Sequence, residues 1–253
     1  MINYKISLIF LSCILGLLFS RVSSAELNAQ ADADATASST STLATSTTPA
    51  TLDSDGDGYN DDLEIKNGFS PFNVQPLKIT DSDVDGDGLN DNLEIQFKTN
   101  PLLADTDADG YSDFEEIDKA FDPLSTSTKK LAQKVEISLK KQLLTYSIAG
   151  KVWKEFSVST GKPSMPTPTG TFTVVSKIKK AWSKTYSLWM PFWLGLDRGR
   201  IGIHELPVWP SGYREGADHL GKPVSHGCIR LGVGQAQYLF ERVDLGFQIV
   251  ISK

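Results

Sequence analysis

Cysteine and histidine are scarce in this chain, with two cysteines and three histidines among 253 residues. Because Cys13 lies inside an apolar N-terminal run, a disulfide framework is excluded. The same scarcity excludes a zinc site built from four cysteines, or from a cysteine pair and a histidine pair in one finger. Hydrophobic residues make up 40% of the chain, which allows a packed core. A chain of this length is expected to hold one or two domains.

Charge of both signs is present, but it is divided unevenly along the chain. Residues 53–124 carry 20 acids against 4 lysines, a net charge of −16. Residues 125–253 carry 8 acids and 19 bases, a net charge of +11. A uniform acidic domain is thereby excluded, and two modules of opposite sign are predicted.

The N-terminal segment 1–25 has the features of a secretory signal peptide. Lys5 precedes an apolar run, 6–19, that is shorter than the ~20 residues needed to span a bilayer. Small residues at 23–25 allow cleavage after Ala25. We therefore expect an exported protein of the cell envelope, periplasm or cell wall, and an anchor in the membrane only if the segment stays uncleaved. Residues 26–52, rich in Ala, Ser and Thr, are expected to be a disordered linker.

Residues 53–124 contain three copies of one acidic motif. Each copy has aspartate at positions 1, 3, 5 and 9, glycine at position 6 and glutamate at position 12. This is the pattern of a calcium loop, because Ca²⁺ takes roughly six to eight oxygen ligands and position 7 adds a backbone carbonyl. The alternative is a solvated acidic spacer without metal. The predicted metal ligands are Asp53, Asp55, Asp57, Tyr59, Asp61, Glu64, Asp83, Asp85, Asp87, Leu89, Asp91, Glu94, Asp105, Asp107, Asp109, Tyr111, Asp113 and Glu116.

The surroundings of these loops argue against a calcium sensor. Short helices are predicted at 60–66 and 90–98, but no long helix precedes any loop, so a helix–loop–helix pair is not expected. Over residues 53–123 the pattern resembles the thrombospondin type 3 repeats of bacterial surface proteins. That resemblance implies a metal-filled rod or spacer in which calcium is structural.

Residues 131–253 are predicted to be mostly strands. Apolar residues alternate with polar ones at 135, 137 and 139, and again at 144, 146 and 148. The turn at 149–151 predicts a hairpin. Further strands are predicted at 152–158, 172–176 and 247–251. One helix is predicted from four apolar residues that share a face: Ala236, Leu239, Phe240 and Val243.

The remaining cysteine, Cys228, has neighbours that suit a nucleophile. It lies in the run Ser225-His226-Gly227-Cys228-Ile229-Arg230, and all three histidines, His204, His219 and His226, fall within 23 positions. Positive charge and a nearby base are expected to favour the thiolate, which is the reactive form. The alternative is a buried, inert cysteine that acts as a small apolar residue.

This run, extended to Leu231 and preceded by Ile203-His204, resembles the signature of the L,D-transpeptidase catalytic domain. The segments 159–162, 166–172 and 221–224 resemble further parts of that family. The resemblance covers roughly 131–253, which leaves 125–130 as a short linker. It implies a mostly β, sandwich-like domain with one clear helix, and an enzyme that attacks peptidoglycan stem peptides.

Roles for the site residues follow from the resemblance. Cys228 would be the nucleophile and His204 the general base. The backbone N–H groups of Gly227 and Cys228, with His226 as a further candidate, would form the oxyanion hole. His226 is otherwise expected to be a scaffold or substrate contact, and Arg230 would hold structure or a substrate carboxylate. The chemistry implied needs no cofactor.

Two stretches leave alternatives open. The residue after His204 is often glycine in the family but is Glu205 here, and 24 positions separate His204 from Cys228. The extra length, 206–217, is expected to be either a lid over the cleft or an inert surface loop. An aromatic-rich stretch before the motif is expected either to pack in the core or to line the substrate groove. Its members are Trp182, Tyr186, Trp189, Phe192 and Trp193.

The sequence thus predicts a secreted peptidoglycan L,D-transpeptidase that forms crosslinks in cell wall biogenesis and cell shape, carried on a calcium-binding module. An L,D-carboxypeptidase, in which water replaces the amine acceptor, uses the same nucleophile and stays open. So does a calcium-dependent wall-binding protein with an inactive catalytic domain. The expected partners are peptidoglycan stem peptides, and no nucleic acid.

Overall fold

The computed structural model describes residues 52–197 and 201–253. These residues belong to one compact unit, Thr48–Lys253. The predicted signal peptide and nearly all of the predicted 26–52 linker lie outside the described residues. Within the described ranges, no helix combines the length and apolar character that crossing a bilayer requires.

The acidic module consists of three loops, each followed by a short helix: α1 (Asp61–Asn67), α2 (Asp91–Phe97) and α3 (Asp113–Asp118). A polar side chain caps each helix. Asn60 accepts from the N–H of Leu63 at 2.9 Å, and Asn90 and Ser112 cap the other two in the same way. These caps satisfy N–H groups that a helix start otherwise leaves open. The helices predicted at 60–66 and 90–98 are present, and the third was missed because it is only 6 residues long.

The second module begins with three antiparallel strands, β1 (Gln133–Ser138), β2 (Leu143–Ile148) and β3 (Lys151–Ser157). The β2–β3 turn has positive φ at both central residues, 49° at Ala149 and 77° at Gly150. Such turns match the twist of the flanking strands. The hairpin prediction is confirmed.

The remaining strands are β4 (Gly170–Ser183), β5 (Leu188–Leu196), β6 (Gly202–Glu205), β7 (Ile229–Leu231) and β8 (Gln248–Ser252), with helix α4 (Gln235–Arg242) before β8. The strand order is β3-β2-β1-β8-β4-β5-β6-β7. β4 pairs with β8 through its first residues and with β5 through the rest, so it belongs to both halves of the sheet. The two halves enclose one core. The mostly β fold class is confirmed.

Sequence patterns missed part of this sheet. β4 continues well beyond the predicted 172–176, because lysines and serines on its outer face interrupt the apolar pattern. β5 was seen only as an aromatic stretch. β6 and β7 have 4 and 3 residues, too few to show a period of two. These two short strands carry the candidate site.

The acidic module packs against the β domain. The ring of Trp153 on β3 contacts Phe97 and Phe114, with centroids 6.0 and 5.7 Å apart. At the end of α3, Asp118 accepts from Tyr238 Oη at 2.7 Å and forms an ion pair with Arg242 on α4. The second and third repeats, which the resemblance implies are part of a rod or spacer, thus share buried apolar surface with the domain.

The segment 125–130, predicted as a linker, folds back on the third repeat. Lys130 pairs with Phe121 in an antiparallel bridge, and Lys129 Nζ lies 2.5 Å from an oxygen of Asp122. The Leu131 N–H donates to the carbonyl of Ala120 at 2.9 Å. The polar composition of this segment therefore marks a turn between the modules.

Candidate active site and metal sites

The candidate active site lies where β6 and β7 run side by side in parallel. His204 pairs with Arg230, and Ile203 pairs with Ile229. Cys228, directly before β7, therefore lies beside the start of β6. Cys228 comes two residues before Arg230, and both residues line the same cleft. His204, the neighbour of Arg230 across the ladder, lines this cleft as well.

His204 is held as a neutral imidazole. The ring is buried, and Nδ1 lies 2.6 Å from the backbone oxygen of Glu205. That carbonyl can only accept, so Nδ1 carries the proton and Nε2 keeps its lone pair. Burial lowers the pKa of His204 to about 4; the bond to Glu205 opposes this change, and the charge of Arg230 adds to it. Trp193 stacks on the ring with centroids 5.9 Å apart.

Cys228 is partly buried, and its thiol is not activated at rest. Burial raises the pKa of the thiol, while a backbone hydrogen bond from Gly202 and the charge of Arg230 lower it in part. The expectation that neighbouring charge and a base favour the thiolate is therefore wrong for the resting protein, because desolvation outweighs both. At neutral pH the thiol and the imidazole of His204 are both uncharged.

The turn before Cys228 is closed by a serine hydroxyl. Ser225 Oγ donates to the backbone oxygen of Cys228 at 2.6 Å and accepts from the N–H of Gly227 at 3.1 Å. Gly227 has a φ of 110°, which favours glycine, and its carbonyl accepts from Thr167 Oγ1 at 2.8 Å. The N–H of Gly227 is thus occupied, contrary to its expected role as an open oxyanion donor. The N–H of Cys228 makes no hydrogen bond to any described residue.

His226 forms part of the cleft wall. Its exposed ring stacks on Tyr186, with centroids 4.5 Å apart. Partial desolvation lowers the pKa of His226, the charges of Lys162 and Arg230 add to this, and the charge of Glu215 opposes it. A ring held flat against a tyrosine at the rim suits contact with a ligand.

Arg230 has a partner that sequence reasoning missed. Its Nη1 donates to Glu215 Oε2 at 2.6 Å, and His219 Nδ1 lies 3.1 Å from the same oxygen. Both Arg230 and Glu215 have little exposed side-chain surface, 8% and 13%. Arg230 is therefore already paired with a carboxylate. No local signal marks Glu215, because it comes from the insertion 206–217 and reaches the site only through the fold.

Glu205 anchors that insertion. Its carboxylate is buried, pairs with Arg214 through Oε1 and accepts from the N–H of Gly234, at the start of α4, through Oε2 at 2.9 Å. A glycine at position 205 could make neither contact. The residue that departs from the family pattern therefore connects the insertion to α4 from the strand position next to His204.

The insertion 206–217 is hydrogen-bonded to β5 and forms one side of the cleft. Val208 and Trp189 on β5 exchange both backbone hydrogen bonds, at 2.8 and 2.9 Å. Trp209 and Glu215 line the cleft, whose volume is about 430 Å³. Of the two expected alternatives, the inert surface loop is therefore wrong, because the insertion forms one side of the cleft.

Some residues of the aromatic stretch line the groove and others pack in the domain, so both expected roles occur. Tyr186 and Trp193 line the cleft. Trp182 and Trp189 pack edge to face on the β4–β5 hairpin with centroids 4.8 Å apart. Phe192 packs against Phe240 on α4, with centroids 5.8 Å apart. The stretch is thus divided between groove and packing.

Each acidic loop gathers the aspartates of positions 1, 3 and 5. In every loop their oxygen atoms can lie within 4.8 Å of one another. The position 1 carboxylate organises the loop backbone: Asp53 accepts from the N–H groups of Gly56 and Gly58, at 2.9 and 3.1 Å. Asp83 makes both equivalent bonds, and Asp105 accepts from the N–H groups of Gly110 and Asp109, at 2.8 and 3.3 Å.

The residues of positions 3 and 12 fit a bound cation. Buried carboxylate oxygens without a hydrogen-bond partner occur in all three loops: Asp55, Glu64, Asp85, Glu94, Asp107 and Glu116. Burial, followed by nearby aspartates, raises the pKa of Glu94 to about 8 and that of Glu116 to about 7. Buried charges of one sign without partners are costly unless they are paired or bind a metal. A hard cation in each loop would supply the missing partner.

Position 9 plays a different part from the one expected. Both oxygens of Asp113 accept from Thr106, the backbone N–H at 3.0 Å and Oγ1 at 2.6 Å. Asp61 is bound in the same way by Ser54, while Asp91 accepts from Val84 and Ser70. These aspartates close their loops, and the assignment of Asp61, Asp91 and Asp113 as ligands stays a prediction.

Comparison with known families agrees with both resemblances. Residues 132–251 match the family model of the L,D-transpeptidase catalytic domain. Residues 53–68 and 83–104 match the bacterial TSP3 repeat. The third loop, 105–116, lies outside that second match but shares two internal hydrogen bonds with the other loops, from the N–H of Asp109 to Asp107 and from the N–H of Gly110 to Asp105.

Individual relatives are similar over the same part of the chain. YkuD of Bacillus subtilis is 28% identical over 119 residues, which cover 47% of this chain and 65% of that protein. L,D-transpeptidase 1 of Mycobacterium tuberculosis is 28% identical over 128 residues, 45% of this chain and 48% of that protein. The chain thus spans less than two thirds of the length of these relatives. An L,D-transpeptidase structure from Mycobacterium smegmatis is 23% identical and covers 49% of this chain and 60% of that one, with a TM-score of 0.43.

Proposed function

We propose that this protein is a peptidoglycan L,D-transpeptidase with Cys228 as its nucleophile, because residues 132–251 match the family model of the L,D-transpeptidase catalytic domain. Its substrates are stem peptides of the cell wall, and it acts outside the cytoplasm. Segment 1–25 would direct its export. The acyl acceptor is an amine on a second stem, so that the product is a crosslink.

The observation that carries this proposal is the parallel pairing of β6 with β7. It sets His204 and Arg230 side by side and puts Cys228 next to the start of β6. A nucleophile, a neutral base with a fixed tautomer and a cleft of about 430 Å³ then share one side of the sheet. This is the arrangement that nucleophilic acyl transfer needs.

In the first half of the reaction, Cys228 Sγ attacks the carbonyl carbon of the third residue of a tetrapeptide stem. The thiol proton passes to Nε2 of His204 as the S–C bond forms. The N–H of Cys228 donates to the oxyanion, a contribution of about 3 kcal/mol for one fixed donor. When the intermediate collapses, the C–N bond to the terminal D-alanine breaks. The proton on His204 goes to the departing amine, and a thioester remains.

In the second half, a neutral amine attacks the thioester carbonyl. His204 takes one proton from the attacking nitrogen, and the C–S bond breaks. That proton then returns to the sulfur of Cys228, which restores the starting state. Both halves use the same neutral base, whose orientation is set by the carbonyl of Glu205 at 2.6 Å. Water in place of the amine would give a carboxypeptidase.

The products distinguish these outcomes. We expect the full chain, incubated with a soluble tetrapeptide stem and an amine acceptor, to release D-alanine and form a crosslinked product seen by mass spectrometry. Cys228→Ser should lose it, because a hydroxyl is a far weaker nucleophile, and His204→Ala should lose nearly as much. Omission of the acceptor is the control: D-alanine release that is unchanged by the acceptor, with no crosslink, would establish the carboxypeptidase instead. Crosslinking by Cys228→Ser would refute the mechanism.

We further propose that the three acidic loops hold Ca²⁺. Carboxylates of positions 1, 3, 5 and 12 and the carbonyls of Tyr59, Leu89 and Tyr111 would bind it. The ion would neutralise carboxylates that are otherwise buried without partners. It would thereby stabilise the acidic module and its packing on the catalytic domain. Its role would be structural, and the acyl transfer chemistry would proceed on protein groups alone.

A further inference from the structure

One carboxylate of the second acidic loop is bonded to the third repeat. Asp87, the position 5 aspartate, accepts through Oδ2 from the N–H of Phe114 at 2.8 Å, across 27 positions of the chain. Its Oδ1 accepts from the N–H of Leu89 at 2.6 Å, a bond that the position 5 aspartates of the other loops also make with position 7. Within the described residues, the bond to Phe114 has no counterpart in the other two loops.

Phe114 continues this connection to the catalytic domain. Its ring packs against Trp153 on β3, and Phe97 packs on the same indole. The two phenylalanines belong to the helices that carry position 12 glutamates, since Phe97 ends α2 and Phe114 is the second residue of α3. The indole N–H of Trp153 donates at 3.1 Å to Asp118 Oδ1, at the last residue of α3. Both helices therefore contact Trp153, which is only 7% exposed.

The first repeat lacks the residues that make this connection. Position 10, which is Phe114 in the third repeat, is Asp62 in the first, and position 15, which is Phe97 in the second, is Asn67. The amide of Asn67 donates to a carbonyl of its own helix at 2.8 Å. In the described structure, the aspartates of the first loop accept only from residues 54–59. The first loop is therefore an internal control for the second.

An ion in the second loop and the contact with Trp153 would hold the same groups. Oxygens of the aspartates at positions 1, 3 and 5 can lie within 4.8 Å of one another. Without an ion, like charges at this distance repel and oppose the conformation in which Asp87 reaches Phe114. A cation and an N–H group do not compete for Asp87, because a carboxylate offers about four lone-pair sites. Docking orders Asp87 before the ion arrives, so that less ordering entropy is lost on binding.

We propose that calcium binding in the second loop is coupled through Asp87 to the docking of the acidic module on Trp153. Each strengthens the other, while the first loop binds calcium independently. This inference rests on the proposed calcium sites and goes beyond them, since it makes the catalytic domain a determinant of calcium affinity. The third loop shares the coupling because Glu116 and Asp118 lie on one helix. Linkage requires the same factor in both directions.

Hydrogen exchange measured by mass spectrometry tests the coupling from the metal side. Glu64→Gln and Glu94→Gln are the same substitution at position 12 of the first and second loops. In the full chain with saturating calcium, we expect Glu94→Gln to speed exchange at 113–118 and 151–157 by about fivefold, at the low end of coupling between sites. Glu64→Gln should leave both segments at the wild-type rate. Strand β1 is the internal reference, because global unfolding would speed its exchange as well.

Calcium titration tests the coupling from the domain side. The Glu64→Gln chain keeps the second and third loops, whereas a chain with both Glu94→Gln and Glu116→Gln keeps only the first. Trp153→Leu should raise the calcium concentration for half-saturation about fivefold in the first background and by less than about twofold in the second. Trp182→Leu is the matched control. It makes the same change at a tryptophan of β4 that is 40% exposed, and it should shift neither background.

Asp118→Asn gives the same test without a change in the core of the catalytic domain. It removes the docking bonds at the end of α3 and should weaken calcium binding in the Glu64→Gln background alone. The coupling is overturned if both backgrounds shift alike, or if Glu64→Gln and Glu94→Gln speed exchange equally. Calcium binding that neither Trp153→Leu nor Asp118→Asn affects would leave the metal sites standing and overturn only the coupling. A wild-type chain that binds no calcium would overturn both.

Discussion

The resting protonation state of Cys228 and His204 can be tested by alkylation. Two states are conceivable before substrate binds: an ion pair of thiolate and imidazolium, or a neutral pair. Burial raises the pKa of Cys228 and lowers that of His204 to about 4. Relative to an ordinary imidazole of pKa about 6.5, protonating His204 costs about 3 kcal/mol. The structure therefore predicts the neutral pair.

The two states have different pH profiles. A neutral thiol below its pKa gives an alkylation rate that rises close to tenfold for each pH unit, since only the thiolate reacts. An ion pair gives a plateau between the two titrations. We expect iodoacetamide labelling of Cys228, followed by intact mass, to rise steadily from pH 6 to pH 8. A free cysteine peptide, at most a few per cent thiolate at pH 7, is the reference for intrinsic reactivity.

His204→Ala makes the test sharper. If the pair is neutral at rest, removing the imidazole should change the alkylation rate at pH 7 by less than about threefold, while acyl transfer falls by about 10²–10⁴ as for the loss of a general base. If an ion pair exists, the same substitution should abolish the plateau. A flat profile from pH 6 to pH 8 that His204→Ala removes would refute the argument from burial.

Three further outcomes are expected. Asp118→Asn should lower the free energy of unfolding by about 2 kcal/mol, because a charge-assisted bond to a half-buried arginine is lost. Asp244→Asn, at an exposed carboxylate, is the control. Equal urea midpoints for Asp118→Asn and the wild type would contradict the role of Asp118 in docking the module. Glu94→Gln should stabilise the protein in EDTA, since burial of a carboxyl group that must be held protonated no longer costs free energy. It should also remove the second loop's share of the calcium stabilisation, about 1–3 kcal/mol at 10 mM calcium for a dissociation constant of about 10⁻⁴–10⁻³ M. Equal unfolding temperatures of the wild type in calcium and in EDTA would count against the metal sites. Glu205→Gln should loosen the insertion through Arg214, so that trypsin cleaves within 206–217 faster than in wild type, and an unchanged cleavage rate would show that this ion pair does not hold it.

Much of the acidic module could be predicted from the sequence because its contacts are local. Asp53 and Glu64 belong to one loop of consecutive residues, and the turn between them is set by glycines in that loop. The same holds for the motif around Cys228, where Ser225 Oγ closes a turn of four residues. Periodicity also found the β2–β3 hairpin, since alternating burial is a property of neighbouring residues in one strand.

What only the tertiary structure decided are the contacts between distant segments. Glu215 meets Arg230, Glu205 meets Gly234, and Asp118 meets Arg242 across 15, 29 and 124 positions respectively. No local pattern encodes these pairs, because each depends on which strands become neighbours and on how the module packs against α4. The pKa of Cys228 belongs to this group as well. The sequence shows a cysteine among basic residues, but burial, which follows from the complete fold, determines whether that thiol is charged.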